Sequence, residues 1–228
     1  MRSTVPRLSK SALQLYLVFG PQDLPTGQTA VGLIEQAAAG GVTCVQWRDK
    51  TALADTGIQQ RVAHVRSLQD CARTLGVPFL INDDVALAKA LGADGVHLGQ
   101  DDMPPDQARR ELGDHAIIGW SVGTDSERER LRVLLESDPT VLDYIGVGPA
   151  FPTGTKADAG QALGPAGIDA VLAGITLPAV AIGGINQENC KMLRVTNAVG
   201  IAVVSAIAGH SHPTQATKQL FAKMYGKD

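Results

Sequence analysis

The sequence predicts an α/β protein with a single closed (β/α)8 barrel, the TIM barrel architecture. Short apolar runs rich in Val, Ile, Leu and Ala alternate with longer amphipathic segments along the chain. This alternation indicates parallel strands with helices packed outside them, and eight repeats favour closure into a barrel. An open doubly wound sheet is the alternative fold, but no G-x-G-x-x-G motif follows the first predicted strand.

The first half of the chain alternates strands and helices at regular intervals. We expect strands at residues 13–19, 43–48, 79–82 and 95–98, where apolar runs end at polar or turn-forming residues. Helices are predicted at residues 31–39, 55–75 and 85–91, because each of these segments is followed by glycine, a common helix stop. No linker divides this pattern from the rest, so we expect one domain over residues 1–228, with residues 1–11 as a short N-terminal extension.

The second half continues the same alternation. Strands are predicted at residues 117–121, 144–147, 179–182 and 200–204, and helices at residues 104–112, 124–137, 168–173 and 213–225. Thr124 and Glu127 have the spacing of a capping box at a helix start. Another helix, capped by Asn186 or Asn189, is expected after the seventh strand. Residues 149–164 form a long loop rich in Gly, Pro and Thr, and loops of this length in compact domains are usually functional or disordered.

Composition argues against several kinds of partner. A net charge of −3 gives no reason to expect nucleic acid or an anionic membrane surface. Cys44, Cys71 and Cys190 form no C-x-x-C motif and no even framework, so we expect buried thiols in a reducing compartment. The apolar run at residues 12–19 follows basic residues, as in a secretory leader, but Gln14 and Tyr16 interrupt it and no small-residue cleavage site follows. We therefore predict a cytoplasmic protein without a membrane partner.

Carboxylates follow two neighbouring predicted strands. Asn82 and Asp83 end the third strand, Asp84 follows, and Asp101 and Asp102 come just after the fourth. A strand–helix–strand unit makes these strands parallel, so both acidic ends lie at the same edge of the sheet. Oxygen ligands of this kind suit Mg²⁺, which typically takes one or two carboxylates together with substrate phosphate. Each aspartate alone would more often cap a helix, but the paired placement favours a metal site.

Cations cluster where the second strand ends. Gln46, Arg48 and Lys50 alternate along one side of this segment, which places one amide and two positive charges at the barrel mouth. In a chain that is acidic overall, such a cluster indicates an anionic substrate group, and the mixture of Arg and Lys suits a diphosphate. An ion pair from Arg48 or Lys50 to Asp49 or Asp55 is the alternative interpretation.

The loops after strands seven and eight are common phosphate sites in barrels of this type. Here they carry Gly183-Gly184, where backbone N–H groups can approach an anion, and Val204-Ser205, which adds a hydroxyl. A tight turn made by the two glycines is the alternative. The loop after strand six adds two hydroxyls, a flexible backbone and a cation in Thr153, Gly154, Thr155 and Lys156.

Several familiar catalytic motifs are missing. The sequence has no G-x-S-x-G elbow, no H-E-x-x-H and no Cys/His metal spacing. His97 lies within strand four and is expected to be a hydrogen-bonded core histidine. A site with cations, a divalent metal and phosphate loops, but with no evident general base, can promote departure of a phosphate leaving group by charge neutralisation.

The predicted strand ends carry five ordered motifs. They are Gln46-Trp47-Arg48-Asp49-Lys50, Ile81-Asn82-Asp83, the stretch from Gly95 to Asp102, the stretch from Tyr144 to Lys156, and Ala181-Ile182-Gly183-Gly184-Ile185. Together they resemble the thiamine phosphate synthase family, and the resemblance covers nearly the whole chain. Two positions depart from the family pattern, since members often have Glu where Asp49 stands and His where Gly123 stands.

The resemblance implies a (β/α)8 barrel with a specific transferase activity. It would join 4-amino-2-methyl-5-hydroxymethylpyrimidine diphosphate to 4-methyl-5-(2-phosphoethyl)thiazole and release diphosphate, with one Mg²⁺ ion as cofactor. In the family chemistry the C–O bond to diphosphate breaks first, and the thiazole nitrogen then captures the pyrimidine cation. That nitrogen has no proton to lose, which agrees with the missing base.

The resemblance also implies roles for individual residues. The pyrimidine diphosphate would be held by Gln46, Trp47, Arg48, Asp49, Lys50, Asn82 and Lys156, with Ser121 on its pyrimidine side. The thiazole phosphate would contact Thr153, Gly154, Thr155, Gly184, Val204 and Ser205. Asp83 and Asp102 would bind the metal, which returns Asp84 and Asp101 to helix capping. The predicted catalytic residues are Arg48, Lys50, Lys156 and Ser121.

Two other functions are compatible with the same fold. A thiazole tautomerase-like relative would handle no diphosphate, so the cations and the metal carboxylates would have no joint purpose. A catalytically silent phosphate-binding barrel would need the phosphate loops but not the carboxylates. The sequence leaves the oligomeric state undecided between a monomer and a homo-oligomer.

Overall fold

Eight parallel strands, each hydrogen-bonded to the next in chain order, form a closed barrel in the computed structural model of the chain. The structure describes residues 8–154 and 160–226. The strands are β1 (Leu15–Phe19), β2 (Cys44–Trp47), β3 (Phe79–Asn82), β4 (Gly95–Leu98), β5 (Ile117–Val122), β6 (Tyr144–Val147), β7 (Ala179–Ile182) and β8 (Gly200–Val203). The barrel closes where β8 pairs with β1, with Leu17 opposite Val203. The predicted (β/α)8 barrel is confirmed.

Helices connect the strands on the outside of the barrel. The α-helices are α1 (Ala30–Gly40), α2 (Ile58–Thr74), α3 (Val85–Leu91), α4 (Pro105–Leu112), α5 (Asp125–Ser137), α6 (Gly164–Leu172) and α7 (Pro213–Tyr225). Short 3-10 helices occupy Lys10–Leu13, Pro21–Asp23, Ala52–Asp55 and Cys190–Val195. The last of these replaces the α-helix predicted after the seventh strand. There, Asn186 and Asn189 form a hydrogen-bonded turn of their own, which leaves only six residues for the helix.

Most predicted bounds agree with the structure, and the differences occur at element ends. The strands predicted at residues 79–82, 95–98, 144–147 and 179–182 have those bounds. β1 begins at Leu15, because the four residues before Gln14 form a 3-10 helix capped by Ser9. The helix predicted from Asp55 begins at Ile58, because the segment up to Asp55 is a separate 3-10 turn. Local pattern therefore located the elements but not every junction.

Two predicted helix starts are confirmed, and one predicted cap is wrong. Thr124 accepts from the backbone N–H of Glu127, whose carboxylate accepts in return from Thr124, so the capping box opens α5. Asp84 accepts from the Leu87 N–H and caps α3. Asp101 caps no helix, because α4 begins only at Pro105, after Pro104 in an extended conformation. The N-cap position, directly before the helix, is occupied by Pro104, three residues after Asp101.

The barrel interior is an apolar core of its own. Inward-facing side chains from all the strands except β4 pack together at Tyr16, Val18, Cys44, Leu80, Ile117, Tyr144, Val180 and Ala202. Leu8 and Leu13 close the amino-terminal end of the barrel beneath them. Because helices cover the outer side, both faces of most strands are buried, as parallel sheets require.

The second core lies between the strands and the helices. Outward-facing strand residues such as Leu17, Val45 and Ile145 pack against helix residues such as Leu33 and Leu131. The helices are amphipathic, and α2 is the longest, with 17 residues. Within the described ranges, no helix combines the length and the apolarity needed to cross a membrane.

Candidate active site

The residues predicted to bind substrate and metal lie at the carboxyl ends of the strands. Asn82 ends β3, Ser121 lies just before the end of β5, and Asp83 follows β3 directly. Lys50 and Asp102 belong to the loops after β2 and β4. Because β2 to β5 are adjacent and parallel, these loops meet at one side of the barrel mouth, the usual place of the site in this fold.

Lys50 and Asp83 form an ion pair between two strand ends. Lys50 Nζ donates to Asp83 Oδ2 at 2.9 Å, with the two side chains 48% and 29% exposed. The backbone N–H of Lys50 donates to the side chain of Gln22, whose amide also donates to the Arg48 carbonyl. The loop after β1 therefore supports the cationic segment after β2. Lys50 pairs with a predicted metal ligand rather than with a carboxylate of its own segment.

Asp83 has a left-handed backbone conformation, with φ at 62°. This conformation costs a residue with a side chain about 1–2 kcal/mol relative to the right-handed one. The backbone N–H of Asp83 donates to the His97 carbonyl on β4 at 2.8 Å, which fixes the turn. Strained backbone of this kind concentrates at functional sites, where the surrounding structure holds it in place.

The carboxyl groups of Asp83 and Asp102 lie close enough together at the ends of β3 and β4 for each to shift the pKa of the other. Burial alone would raise the pKa of Asp83, but hydrogen bonds from Asp102 and Lys50 outweigh it and lower that pKa. Burial, together with the hydrogen bond to Asp83 and its negative charge, raises the pKa of Asp102. The Gly99 N–H donates to Asp102 Oδ2 and fixes this carboxyl group. Ionisation of one carboxyl group therefore disfavours ionisation of the other, and a cation beside both groups would offset this repulsion.

The carboxylate oxygens of Asp83 and Asp102 are suitable ligands for a magnesium ion. Two neighbouring carboxyl groups provide the hard oxygen ligands that Mg²⁺ prefers. Among the described residues, no group of three or more His, Cys, Asp or Glu side chains is placed to hold a metal ion. The remaining ligands would therefore come from water and from substrate phosphate, as is usual for Mg²⁺.

Two cavities are lined in part by predicted site residues. One of about 160 Å³ lies between β2, β3 and their helices, and its lining includes Trp47, Lys50, Asn82 and Asp83. It is smaller than the roughly 300–1,000 Å³ of a typical ligand pocket, so it can take only part of a substrate. A groove of about 570 Å³ runs between α4 and α5 and meets the predicted site at Asp102.

Gln46 lies deeper than the sequence predicted. It points into the barrel interior, is 3% exposed, and donates through its amide to the Tyr16 hydroxyl. Gln46 is therefore the buried member of the predicted row of Gln46, Arg48 and Lys50, and its role toward a substrate stays a prediction. Its inward direction follows from the strand alternation, but its depth depends on how the strands are staggered in the closed barrel. Trp47 faces outward and packs edge-on against Phe19, with 5.4 Å between ring centroids.

Other parts of the cationic segment are held locally. Asp49 Oδ1 accepts from the backbone N–H and the hydroxyl of Thr51. These two bonds form a tight turn in the loop after β2. The Arg48 N–H donates to the Phe19 carbonyl at 2.8 Å, so its backbone continues the pairing of β1 with β2. Roles for Asp49 and Arg48 toward a substrate stay predictions.

His97 is the hydrogen-bonded core histidine that the sequence predicted. Its Nδ1 lies 2.8 Å from the Tyr144 hydroxyl, and its Nε2 lies 2.9 Å from the Ser121 hydroxyl. Gly123, where family members often have His, is closely packed. A Cβ at this position would come within 2.3 Å of the Gly148 carbonyl oxygen. The backbone of this chain therefore excludes a side chain at position 123 unless the neighbouring loop moves.

The two glycines after β7 are required by the turn itself. Gly183 and Gly184 have φ values of 97° and 66°. A Cβ on Gly184 would lie 2.5 Å from the Pro152 carbonyl oxygen, because the loop after β6 passes directly over it. The structure thus supports the tight-turn interpretation and is compatible with a phosphate role, which stays a prediction.

The remaining predicted site residues lie in the loops after β6 and β8. Ser205 is exposed, and the Val204 carbonyl accepts from Ile207 and Ala208 in a helical turn. Thr153 and Gly154 follow a loop whose Phe151 N–H donates to the Gly183 carbonyl, so this loop begins beside the end of β7. Thr155 and Lys156, predicted to bind the two phosphates, lie outside the described residues.

Sequence reasoning missed the residues that support the site. Tyr16 and Tyr144 meet inside the barrel with their hydroxyls 2.9 Å apart, although 128 positions separate them in the chain. Strand alternation could have shown that both rings face inward, but no local signal pairs them. Gln22, which supports the segment after β2, was missed for the same reason.

Comparisons with known proteins agree with one another. A family model described as thiamine monophosphate synthase matches residues 15–207. A thiamine-phosphate synthase of Staphylococcus carnosus is 42% identical over 204 residues, which cover 89% of this chain and 92% of that protein. One from Histophilus somni is 40% identical over 219 residues, covering 92% and 96%. A solved structure of thiamine phosphate pyrophosphorylase from Pyrococcus furiosus superposes with a TM-score of 0.78 at 32% identity, covering 94% of this chain and 96% of that one.

Proposed function

The chain belongs to the thiamine monophosphate synthase family and is therefore an enzyme that forms thiamine phosphate; we propose that it does so by coupling a pyrimidine diphosphate to a thiazole phosphate. The substrates are the hydroxymethylpyrimidine diphosphate and the phosphoethyl thiazole that the family resemblance implies. Diphosphate is the leaving group, and one Mg²⁺ ion, held by Asp83 and Asp102, would supply charge neutralisation for its departure.

The cluster of Lys50, Asp83 and Asp102 supports this proposal most directly. It joins one ammonium group to two carboxyl groups within hydrogen-bonding reach, at the mouth of the barrel. A carboxyl pair beside a lysine suits a ligand that combines diphosphate with a metal ion, because the carboxylates would hold the cation and the Lys50 ammonium group would bind a phosphate oxygen.

Each residue has a definite task in this mechanism. Arg48 and Lys50 would bind the diphosphate and stabilise the negative charge that grows on it as the C–O bond breaks. Asp83 and Asp102 would hold the Mg²⁺ ion, which when bound neutralises charge on the phosphate oxygens. Ser121 would orient the pyrimidine ring. The thiazole nitrogen attacks through a lone pair and carries no proton, so no side chain has to act as a general base.

An omission assay tests the reaction. Purified protein should release diphosphate only when both substrates and Mg²⁺ are present, and a chelator should stop the release until Mg²⁺ is added back. Release that is unaffected by chelator would contradict the metal-assisted step. A protein that binds thiazole phosphate but forms no product would instead be a silent phosphate-binding barrel, and one that only isomerises the thiazole would be a tautomerase.

Replacing the Lys50 ammonium tests the diphosphate contact. A hydrogen bond to a charged group contributes about 1.5–3 kcal/mol. Lys50→Ala should therefore lower kcat/KM by about ten- to a hundredfold, measured as diphosphate release at saturating Mg²⁺.

Lys89→Ala provides the matched control for this variant. Lys89 lies on α3 and pairs with Glu111 at 2.7 Å, with side chains 59% and 46% exposed. This substitution removes an exposed ion pair away from the mouth and should leave kcat/KM within about twofold of the native value. Equal rates for the two variants would show that Lys50 does not bind the leaving group.

A further inference from the structure

A chain of hydrogen-bonded side chains runs through the barrel interior up to Ser121. Gln46 Nε2 lies 2.7 Å from Tyr16 Oη, which lies 2.9 Å from Tyr144 Oη. Tyr144 Oη in turn lies 2.8 Å from His97 Nδ1, and His97 Nε2 lies 2.9 Å from Ser121 Oγ. The chain crosses strands β2, β1, β6, β4 and β5 and ends at a residue predicted to face the substrate.

Strands β5 and β6 leave room for the hydrogen-bonded side chains by carrying glycine at positions 119 and 146. A Cβ on Gly119 would come within 2.2 Å of the Tyr144 ring, and a Cβ on Gly146 would come within 3.1 Å of the His97 ring. Tyr16, Tyr144, Gln46 and His97 are all at most 8% exposed. Because buried polar groups in an apolar interior are costly unless they are hydrogen-bonded, each member needs the partner it has.

The direction of the hydrogen bonds follows from the orientation of the Gln46 amide, whose nitrogen faces the Tyr16 hydroxyl. The Gln46 amide nitrogen only donates, so Tyr16 Oη accepts from it and directs its own proton to Tyr144. Tyr144 then donates to His97 Nδ1. A neutral imidazole has a single N–H, so with Nδ1 accepting, the proton is on Nε2 and is donated to Ser121 Oγ. The Ser121 oxygen accepts this bond, and its own proton is available to a ligand.

We propose that this buried chain holds His97 as the Nε2–H tautomer and thereby makes the Ser121 hydroxyl a hydrogen-bond donor toward the barrel mouth. His97, Tyr144 and Tyr16 are thus positioning residues that act through Ser121. A donor at this point recognises an uncharged acceptor such as a ring nitrogen of an aromatic heterocycle. This assignment of the ligand atom rests on the proposed function, where the pyrimidine ring is that heterocycle.

The opposite direction of the hydrogen bonds from Gln46 to Ser121 would give a chemically different site. If the Gln46 oxygen faced Tyr16, every bond would reverse, and His97 would carry its proton on Nδ1. Ser121 would then donate to His97 Nε2 and offer only its oxygen lone pairs to a ligand. The two arrangements therefore differ in which ring nitrogen of His97 carries the proton, and this can be observed in the protein without any ligand.

Nitrogen NMR of the ligand-free protein tests the tautomer. Protein labelled with ¹⁵N at histidine should show, for His97 at mildly alkaline pH, a protonated Nε2 and an unprotonated Nδ1. His97→Gln identifies the signal by its loss. A protonated Nδ1, or exchange between the two tautomers, would overturn the proposal.

Tyr144→Phe tests whether the chain acts on Ser121. Removing one hydroxyl keeps the ring and its packing but leaves His97 Nδ1 without its donor, so the tautomer should no longer be fixed. We expect kcat/KM for the pyrimidine diphosphate to fall about tenfold, mainly through KM, with KM for the thiazole phosphate unchanged. Unchanged kinetics would overturn the positioning role, even with the predicted tautomer in the native protein.

Two comparisons separate positioning from general damage. Tyr225→Phe removes a partly buried hydroxyl that donates to the Gln14 carbonyl at the other end of the barrel, and it should leave both KM values unchanged. His97→Gln can place an amide donor near the position of Nε2 and should retain more activity than His97→Leu, which has no donor. Equal losses in the Gln and Leu variants would overturn the positioning role.

The two proposals fail in different ways. If the native protein forms no product from the proposed substrates, the proposed function fails. The tautomer measurement would still show the direction of the hydrogen bonds from Gln46 to Ser121. If the product forms but His97 is protonated on Nδ1, the proposed function stands and the inference about Ser121 fails.

Discussion

Arg109 shows how a single charged residue can organise one end of the barrel. It lies on α4 with its side chain 1% exposed and pairs with Asp143 at 2.8 Å. Its guanidinium also donates to the carbonyls of Gly113, Ala116 and Val141. Asp143 accepts from the Ile118 N–H as well. These bonds tie the end of α4 to the starts of β5 and β6, opposite the active-site mouth.

Removing this arginine should destabilise the protein strongly. Arg109→Leu would leave the Asp143 carboxylate buried without its cation, and breaking a buried ion pair in this way costs about 3–5 kcal/mol. The free energy of unfolding, measured by urea denaturation with circular dichroism, should fall by that amount. Arg110→Leu on the same helix is the control, because Arg110 is 66% exposed and pairs only across one helical turn with Asp106. That change should cost no more than about 0.5 kcal/mol, and similar losses for both variants would contradict a special role for Arg109.

At the scale of elements, the start of α5 shows a local sequence signal that the structure confirms. α5 is largely polar, and only Leu131 among its residues is fully buried. Its stability therefore depends more on local bonds than on packing. The capping box supplies these bonds, since Glu127 Oε2 accepts from the backbone N–H groups of both Gly123 and Thr124.

Loss of the cap should be measurable in this helix. Thr124→Ala removes the oxygen that accepts from the Glu127 N–H, and loss of such a cap typically costs about 1 kcal/mol. Urea denaturation should show this decrease, whereas Thr124→Ser keeps the hydroxyl and should be close to the native value. If Ala and Ser behaved alike, the cap would contribute nothing at this position.

At the scale of the whole molecule, the segment before β1 contacts both the last strand and the last helix. The 3-10 helix at Lys10–Leu13 brings Leu13 under the barrel, and a Cβ on Gly200 of β8 would lie 1.9 Å from its carbonyl oxygen. From the other end, the Tyr225 hydroxyl of α7 donates to the Gln14 carbonyl at 2.8 Å. The last helix is thus fastened to the segment that leads into the first strand, which supports the pairing of β1 with β8.

This closure makes stability depend on pH in the alkaline range. Burial raises the pKa of Tyr225 to about 12, while a tyrosine in the unfolded chain ionises near pH 10. The stabilisation is therefore complete below about pH 10 and is lost as pH rises toward 12, because the unfolded state releases its proton first. The urea midpoint should fall over this range, and Tyr225→Phe should make the fall less steep. An identical pH profile for the variant would show that Tyr225 ionises normally in the folded protein.

The sequence by itself determined the kinds of elements and the faces they present. Apolar runs of four to six residues became strands, and glycines after helices became left-handed caps, as at Gly41 and Gly92. Both signals are local, because they depend on side-chain spacing and on the backbone conformations open to a residue without a Cβ. The acidic ends of β3 and β4 were predicted to meet for the same reason, since parallel adjacent strands end at one edge.

Only the tertiary structure decided which side chains touch. Lys50 forms an ion pair with Asp83, just after the neighbouring strand β3, rather than with a carboxylate of its own loop. The Gln46 side chain lies inside the barrel and donates a hydrogen bond to the Tyr16 hydroxyl. Arg109 reached Asp143, 34 positions away. These partners depend on the stagger of eight strands around a closed barrel and on the packing of rings over glycines in neighbouring strands. Such non-local geometry leaves no periodic pattern in the sequence. The sequence therefore predicts where the candidate site lies, while the hydrogen bonds among its residues depend on the closed barrel.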